Sequence, residues 1–255
     1  MELNKVYNGD CLELMRDIPD GSIDMVCCDL PYEMLNRGNP DARWDKMIPF
    51  EPLWKQYERI VKSNGAIVLF SQGMFTAKLM LSNEKLWRYN LVWDKSKVTG
   101  FLNARRMPLK QTEIISVFYR KLPTYNPQMR KCEPHQRNHQ RGKQENITNR
   151  CYGDYGKAED IISDEKYPTD LIRFLRNVHT DNAHPTQKPV ELIQWLIRTY
   201  TNEGEVVLDN CCGSGTTGVA AIKEKRNFIC MERDPKYFEI AKRRIAKELQ
   251  QPTLF

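Results

Sequence analysis

Ten consecutive residues near the C-terminal end constrain this chain more than any others: Asp209-Asn210-Cys211-Cys212-Gly213-Ser214-Gly215-Thr216-Thr217-Gly218. They follow Glu205-Val206-Val207-Leu208-Asp209, an apolar run that suits a buried strand. They precede a helical pattern from about Thr216 to Glu224. Gly213, Gly215 and Gly218 form a GxGxxG turn, where missing side chains permit a tight strand-to-helix turn and let a ligand approach the helix N-terminus. The next strand, Asn227 to Met231, runs into Glu232, and an acid there can hold ribose hydroxyls. This unit is part of a nucleotide-binding α/β sheet. Only about forty residues follow it, too few for the remaining strands. Those must come from the N-terminal half, which predicts a circularly permuted motif order with the cofactor loop near the end of the chain.

Two cofactors compete for such a loop, a dinucleotide and S-adenosylmethionine. Asp209 and Asn210 stand just before the glycines, where a negative charge opposes a pyrophosphate and attracts a methionyl ammonium. Thr216 and Thr217, at the helix N-terminus, suit the matching carboxylate. S-adenosylmethionine is therefore the favoured cofactor.

The rest of the chain supplies the strands. Asp10, with Glu13 three residues on, caps a helix starting at Cys11. Ile23 to Cys28 reads as a buried strand. Phe50, Leu53, Trp54, Tyr57, Ile60 and Val61 recur at helical spacing, with Asn64-Gly65 as the stop. Strands are expected at Ala66–Phe70, Tyr89–Trp93 and Glu113–Tyr119, and a helix at Met74–Leu81. After a polar stretch, Leu192, Ile193, Leu196, Ile197 and Tyr200 line a helix that opens at Pro189. A final helix from Asp234-Pro235 buries Phe238, Ala241, Ile245 and Leu249. The βαβ rhythm predicts an α/β, Rossmann-like, mostly parallel sheet with helices on both faces. Residues 121–183 break that rhythm and are read as an inserted recognition region. The expected order is residues 1–120 as one half of the domain, 121–183 as the insertion, 184–250 as the cofactor-binding half, and 251–255 as a tail.

Charge points to the partner. The chain carries 39 Lys and Arg against 33 Asp and Glu. Between Arg120 and Arg150 there are eight basic residues and two carboxylates, so the whole positive excess sits there. Arg120, Lys121, Arg130, Lys131, Arg137, Arg141, Lys143 and Arg150 are thus candidates for a polyanion such as double-stranded DNA; a solvated basic loop is the alternative. Eight cysteines occur without a CxxC pair, and Cys27-Cys28 and Cys211-Cys212 lie in or beside apolar runs. They read as buried thiols of a reducing compartment, and no metal-ligand spacing appears. The N-terminal residues lack a signal-peptide layout and no apolar run reaches membrane-spanning length, so a cytoplasmic protein with no membrane association is expected.

The strand at Ile23–Cys28 ends in Asp29-Leu30-Pro31-Tyr32. Ligands of α/β sheets bind at the carboxyl ends of strands, so this turn faces the same crevice as the glycine loop. The Asp29 carboxylate and the Leu30 carbonyl can accept both hydrogens of an exocyclic amine, and Tyr32 can stack on the ring that bears it. Taken with His184-Pro185-Thr186-Gln187-Lys188-Pro189 and the loop at 209–217, in that order, the chain resembles the β-class DNA amino-methyltransferases. The resemblance covers nearly the whole chain outside the insertion. Its one departure is Leu30, where the family usually has Pro. It implies methyl transfer from S-adenosylmethionine to a flipped-out base, leaving S-adenosylhomocysteine. Adenine N6 is preferred to cytosine N4 because adenine members usually begin the tetrad with Asp. Asp29, Leu30, Pro31 and Tyr32 are the implied catalytic tetrad. Asp10 and Cys11 would meet the cofactor's adenine and Glu232 its ribose. Asp29, Lys188, Asp209, Gly213, Gly215, Thr216 and Thr217 would lie around its methionyl and methyl part. Arg43 and Trp44 are further candidates for DNA contact, and His184 for a structural hydrogen bond.

The last residues, Gln251-Pro252-Thr253-Leu254-Phe255, resemble the short Gln…Leu-Phe peptide that docks on the bacterial sliding clamp. Folding back of Leu254 and Phe255 on the domain is the alternative. A homodimer is left open.

Overall fold

A computed structural model describes residues 1–33, 45–132, 138–140, 161–175 and 187–250. In chain order its elements are β1 (Lys5–Asn8), α1 (Cys11–Leu14), β2 (Ile23–Asp29), α2 (Phe50–Ile60), β3 (Val61–Ser71), α3 (Met74–Ser82), β4 (Trp87–Thr99), β5 (Lys110–Phe118), β6 (Arg130–Lys131), β7 (Asn138–Gln140), β8 (Ile161–Ser163), β9 (Glu165–Lys166), β10 (Leu171–Arg173), α4 (Val190–Tyr200), β11 (Val206–Asp209), α5 (Thr216–Lys223), β12 (Asn227–Glu232) and α6 (Pro235–Leu249). Two units form. One comprises Met1–Asn126 and Asp170–Phe255, the other Pro127–Thr169. The second holds two short antiparallel ladders, β6 with β9 and β7 with β8.

The first unit is built on an eight-stranded sheet in the order β1-β12-β11-β2-β3-β5-β4-β10. Every neighbouring pair is parallel except β3–β5 and β4–β5, so β5 alone runs against the rest. The two C-terminal strands, β11 and β12, lie between β1 and β2. β10 comes from the stretch expected to be insertion, yet it extends the main sheet beside β4.

Side chains of the central strands alternate between two cores, as the two-residue pleat requires. Met25, Cys27, Val68, Phe70, Val207, Phe228 and Cys230 pack with α4, α5 and α6. Val26, Cys28, Ile67, Leu69, Leu208, Ile229 and Met231 pack with α1, α2 and α3. Helices therefore cover both faces, and the strands read as continuous apolar runs because neither face meets water.

Local departures have physical reasons. The expected helix through Val61 ends at Ile60, and β3 starts at once. Gly65 is not a helix stop. It lies in β3, where a Cβ would come within 2.8 Å of the Asp24 carbonyl on the neighbouring strand. Leu249, expected in the core, is exposed, while Ala241 and Ile245 are buried. The tail at 251–255 lies outside the described residues. Among the described residues no helix is long and apolar enough to cross a membrane.

Candidate active site

β1, β2, β3, β11 and β12 are mutually parallel neighbours apart from the single β2–β3 bulge, so their carboxyl ends share one edge of the sheet. A cavity of about 960 Å³ opens there. It is lined by Asp10 and Cys11 after β1, Asp29 to Tyr32 after β2, Phe70 of β3, Asp209 to Ser214 after β11 and Glu232 of β12. The tetrad and the glycine loop, 180 residues apart in the chain (29 to 209), thus share one cavity.

The glycine turn is held by acids. Asp209 accepts from the Cys211 backbone N–H at 3.1 Å and from the Thr217 hydroxyl at 2.6 Å. Glu232 accepts from the Gly213 N–H and the Asp234 N–H, both at 2.8 Å. Burial raises both carboxyl groups, Asp209 to about 6 and Glu232 to about 7, against the hydrogen bonds that favour ionisation. Neither carboxylate is paired with a cation among the described residues, and such groups suit a cationic ligand, such as a sulfonium or an ammonium. Asn210 accepts from the Tyr57 hydroxyl at 2.6 Å and donates to the Cys11 thiol at 3.6 Å. Arg244 of α6 donates to the Ser214 carbonyl at 2.6 Å and its hydroxyl at 2.8 Å, and that hydroxyl donates to Gln187 at 3.0 Å.

Other candidate residues of this region are placed as follows. Gly215 does not line the cavity; at φ 79° its missing Cβ leaves room for Ala241, which a Cβ would approach to 2.9 Å. Its glycine serves helix packing, as does Gly218 against Ile245. Thr217 lines the cavity, and its hydroxyl donates to Asp209 and holds that carboxylate in place. Asp10 is both a cap and a cavity residue: it accepts from the Leu12 N–H at 2.9 Å while lining the pocket.

Around the tetrad the geometry is electrostatic. Lys188 Nζ lies 2.8 Å from Asp29 Oδ2 and 3.1 Å from Glu113 Oε2, and Lys95 Nζ lies 3.2 Å from Glu113 Oε1. The chain Asp29–Lys188–Glu113–Lys95 therefore alternates in charge. Burial pulls Lys188 down, but the two carboxylates outweigh it and hold the ammonium above its ordinary value. Burial raises Asp29, and Lys188 opposes that rise. Two of the three N–H groups of the Lys188 ammonium are directed to Asp29 and Glu113, and the residue also lines the cavity. Asp29 Oδ1 is buried and is the one such side-chain atom among the described residues without a hydrogen-bond partner. Carboxylate oxygens out of water carry a large desolvation cost unless a donor arrives.

The turn after Asp29 is fixed by a residue absent from the sequence reading. Buried Asp45 accepts from the Tyr32 and Glu33 N–H groups, each at 3.0 Å. Tyr32 lines the cavity and stacks at 5.1 Å on Phe75, which fixes its ring. Leu30 is buried with the α1–α3 core, so the side chain that replaces the usual Pro has an apolar place to go. Burial pushes the Cys27 and Cys28 thiols up, which makes them poor nucleophiles. The seven described cysteines are free thiols, and no cluster of metal-ligating side chains occurs among the described residues.

Four of the eight basic candidates lie among the described residues. Arg120 pairs with Glu58 at 3.8 Å, and the Lys121 N–H donates to the Ser63 carbonyl. β5 runs from Lys110, at the cavity, to Phe118, so these two residues lie at the sheet end roughly 26 Å away. They are misplaced for the cavity because β5 is antiparallel. Arg130 and Lys131 are exposed on β6 of the second unit. Arg137, Arg141, Lys143 and Arg150, and also Arg43, Trp44 and His184, lie outside the described residues.

A doubly wound sheet with a glycine turn, a terminal acid and a cavity at its carboxyl edge defines the class of nucleotide-cofactor α/β proteins. Comparison with known proteins narrows that class. The model of a family described as DNA methylase, the N6/N4 methyltransferases, matches residues 23–243. The chain belongs to this N6/N4 DNA methylase family and is a DNA amino-methyltransferase. It is 29% identical over 266 residues to the type II methyltransferase M.HinfI of Haemophilus influenzae, covering 95% of this chain and 68% of that protein. It is 27% identical over 259 residues to the type II methyltransferase M2.MboI of Moraxella bovis, covering 94% and 86%. Two solved structures share its fold. One is an M1.HpyAVI complex with S-adenosylmethionine, at TM-score 0.62, 22% identity and coverage of 97% and 99%. The other is the cytosine-N4-specific PvuII DNA methyltransferase, at TM-score 0.65, 19% identity and coverage of 98% and 88%.

Proposed function

We propose that this chain transfers a methyl group from S-adenosylmethionine to the N6 amine of an adenine flipped out of duplex DNA, within a restriction-modification setting like that of its type II relatives. The observation that carries the reading is the Asp29 carboxylate standing in the cavity that it shares with the glycine loop. An exocyclic amine is a donor that such a carboxylate can accept. The acid-lined side of the cavity fits the cofactor's cationic groups, with Asp209 for the ammonium, Glu232 for the ribose, and Asp10 and Cys11 for the adenine. The turn at Gly213, with Thr216 at the start of α5, completes that side. The permuted strand order and a recognition role for the basic segment belong to the same reading.

When bound, the cofactor supplies an electrophilic methyl group on a sulfonium. The protein's part is positioning and charge. Lys188 holds the Asp29 carboxylate in place, so that it accepts one amine hydrogen while the Leu30 carbonyl accepts the other. These bonds localise the nitrogen lone pair and stabilise the positive charge that grows on it. Tyr32, fixed by Phe75, takes the base ring on its open face. Once methylated, the nitrogen is positively charged and carries one proton more than the neutral product. Asp29, raised by burial, accepts it. Mass spectrometry of nucleosides from DNA methylated by the pure protein tests the reading: N6-methyladenine supports it, and N4-methylcytosine alone reassigns the base. A protein that binds S-adenosylmethionine and DNA yet modifies neither base refutes it.

A further inference from the structure

The connection between β4 and β5 takes no part in the site described above except as a wall. Thr99 and Lys110 close it as an antiparallel pair, and the Thr99 hydroxyl donates to the Lys110 carbonyl at 3.2 Å. Between them Gly100, at φ 85°, starts a tight turn at Phe101–Asn103. Backbone N–H groups of Asn103, Ala104, Arg106 and Met107 donate to carbonyls of Gly100, Phe101, Asn103 and Asn103 at 2.9, 3.0, 2.8 and 3.0 Å. The turn is thus ordered by its own backbone, and it leaves two large apolar side chains exposed at its apex. Phe101 is 81% exposed and Leu102 96%, while Met107, 52% exposed, also lines the cavity. A contiguous apolar group of this kind marks a contact surface, unlike single scattered residues.

Charge identifies the partner. Residues 97–110 contain Lys97, Arg105, Arg106 and Lys110, all exposed, and no carboxylate. The inner side of the same connection, including Thr99, Gly100, Asn103 and Pro108, lines the cavity. An apolar apex flanked by cations therefore stands at the mouth of the pocket that takes the base. Duplex DNA answers both features, with phosphates outside and an apolar base stack within. We propose that Phe101 and Leu102 form a wedge that enters the stack where the target nucleotide leaves it, with Arg105 and Arg106 on the flanking phosphates. The proposal rests on DNA being the substrate and adds the element that opens it.

The test uses the full chain, its cofactor and two DNAs carrying its methylation site. One is a normal duplex; the other has an abasic position opposite the target, so that the target is unpaired. Phe101→Ala/Leu102→Ala changes only exposed positions, so folding is preserved. The expected result is a roughly 10- to 100-fold slower single turnover on the duplex, with the rate restored to within about threefold on the abasic DNA. Fluorescence of 2-aminopurine at the target position falls in parallel. Arg105→Ala/Arg106→Ala weakens both DNAs alike and reduces the salt slope by about two. An unchanged duplex rate, an equal loss on both DNAs, or a change in self-association alone overturns the wedge. A wild-type chain that methylates neither DNA fails the proposed function instead, and the 2-aminopurine signal, which needs no transfer, still judges the wedge.

Discussion

Replacing Lys188 by Met is the sharpest electrostatic test of the site. The ammonium is shared by Asp29 at 2.8 Å and Glu113 at 3.1 Å, and its side chain is only 10% exposed. Breaking a buried ion pair by removing one partner costs about 3–5 kcal/mol, because a buried charge is left behind. That is a large part of a typical folding free energy of about 5–15 kcal/mol. Glu113 keeps Lys95 at 3.2 Å, so Asp29 is the group left exposed to the loss. Its carboxyl, already raised by burial, loses the cation that held it down and rises further. The sign follows from proton counting. A carboxyl raised in the fold keeps a proton that the unfolded chain releases, so its stabilisation is present at low pH and lost as pH climbs through the folded value. The stability gap between wild type and Lys188→Met should therefore widen as pH rises from 5 to 8, by up to about 1.4 kcal/mol per pH unit. Urea unfolding at pH 5, 6, 7 and 8 measures it. Glu113→Gln, which leaves Asp29 paired, should show a smaller gap with less pH dependence. A gap that is flat or narrows with rising pH refutes the assignment of Lys188 as the counter-ion of Asp29.

Affinity for S-adenosylmethionine should rise with pH and level off above about 7. Asp209 and Glu232 titrate near 6 and 7 without ligand, and a cation favours their ionised forms; calorimetry in two buffers should show protons released at pH 6, with at most a tenfold affinity change per pH unit for each. Gly215→Ala should destabilise the protein by about 2–4 kcal/mol, combining a left-handed backbone with overlap on Ala241, and should lower the midpoint of thermal unfolding. A midpoint within a degree of wild type contradicts that. Asp45→Ala should slow turnover by roughly tenfold or more while leaving cofactor affinity near normal, because two N–H groups of the tetrad turn lose their acceptor.

What the sequence revealed and what it hid follow from the range of each signal. The glycine turn, Glu232 and the Asp29 turn are local patterns: a strand period of two, then a punctuating residue, then a helix period. Those patterns survive without any tertiary knowledge, and they led to residues that do share a cavity. β1 escaped notice because Lys5-Val6-Tyr7-Asn8 is short and half polar, as an edge strand can be. Glu113 escaped because it reaches Lys188 only when β5 runs antiparallel, a fact that no window of residues contains. The same reversal carries Arg120 and Lys121 away from the cavity, although composition grouped them with the basic segment. Asp45 acts on Tyr32 and Glu33 across twelve or thirteen residues, with no periodic signal to announce it. Gly215 and Gly218 were legible as glycines, but the helix that requires them is α6, beyond the turn itself.

The most direct measurement pairs two readouts on one variant, Asp29→Asn: calorimetric affinity for S-adenosylmethionine, and single-turnover methyl transfer to duplex DNA. The neutral amide keeps the shape but loses the charge that stabilises the amine, so transfer should fall about 10²- to 10³-fold while the dissociation constant stays within about threefold. Near-normal transfer, or a joint collapse of transfer and cofactor binding, would contradict the role of Asp29 as the acceptor of the target amine.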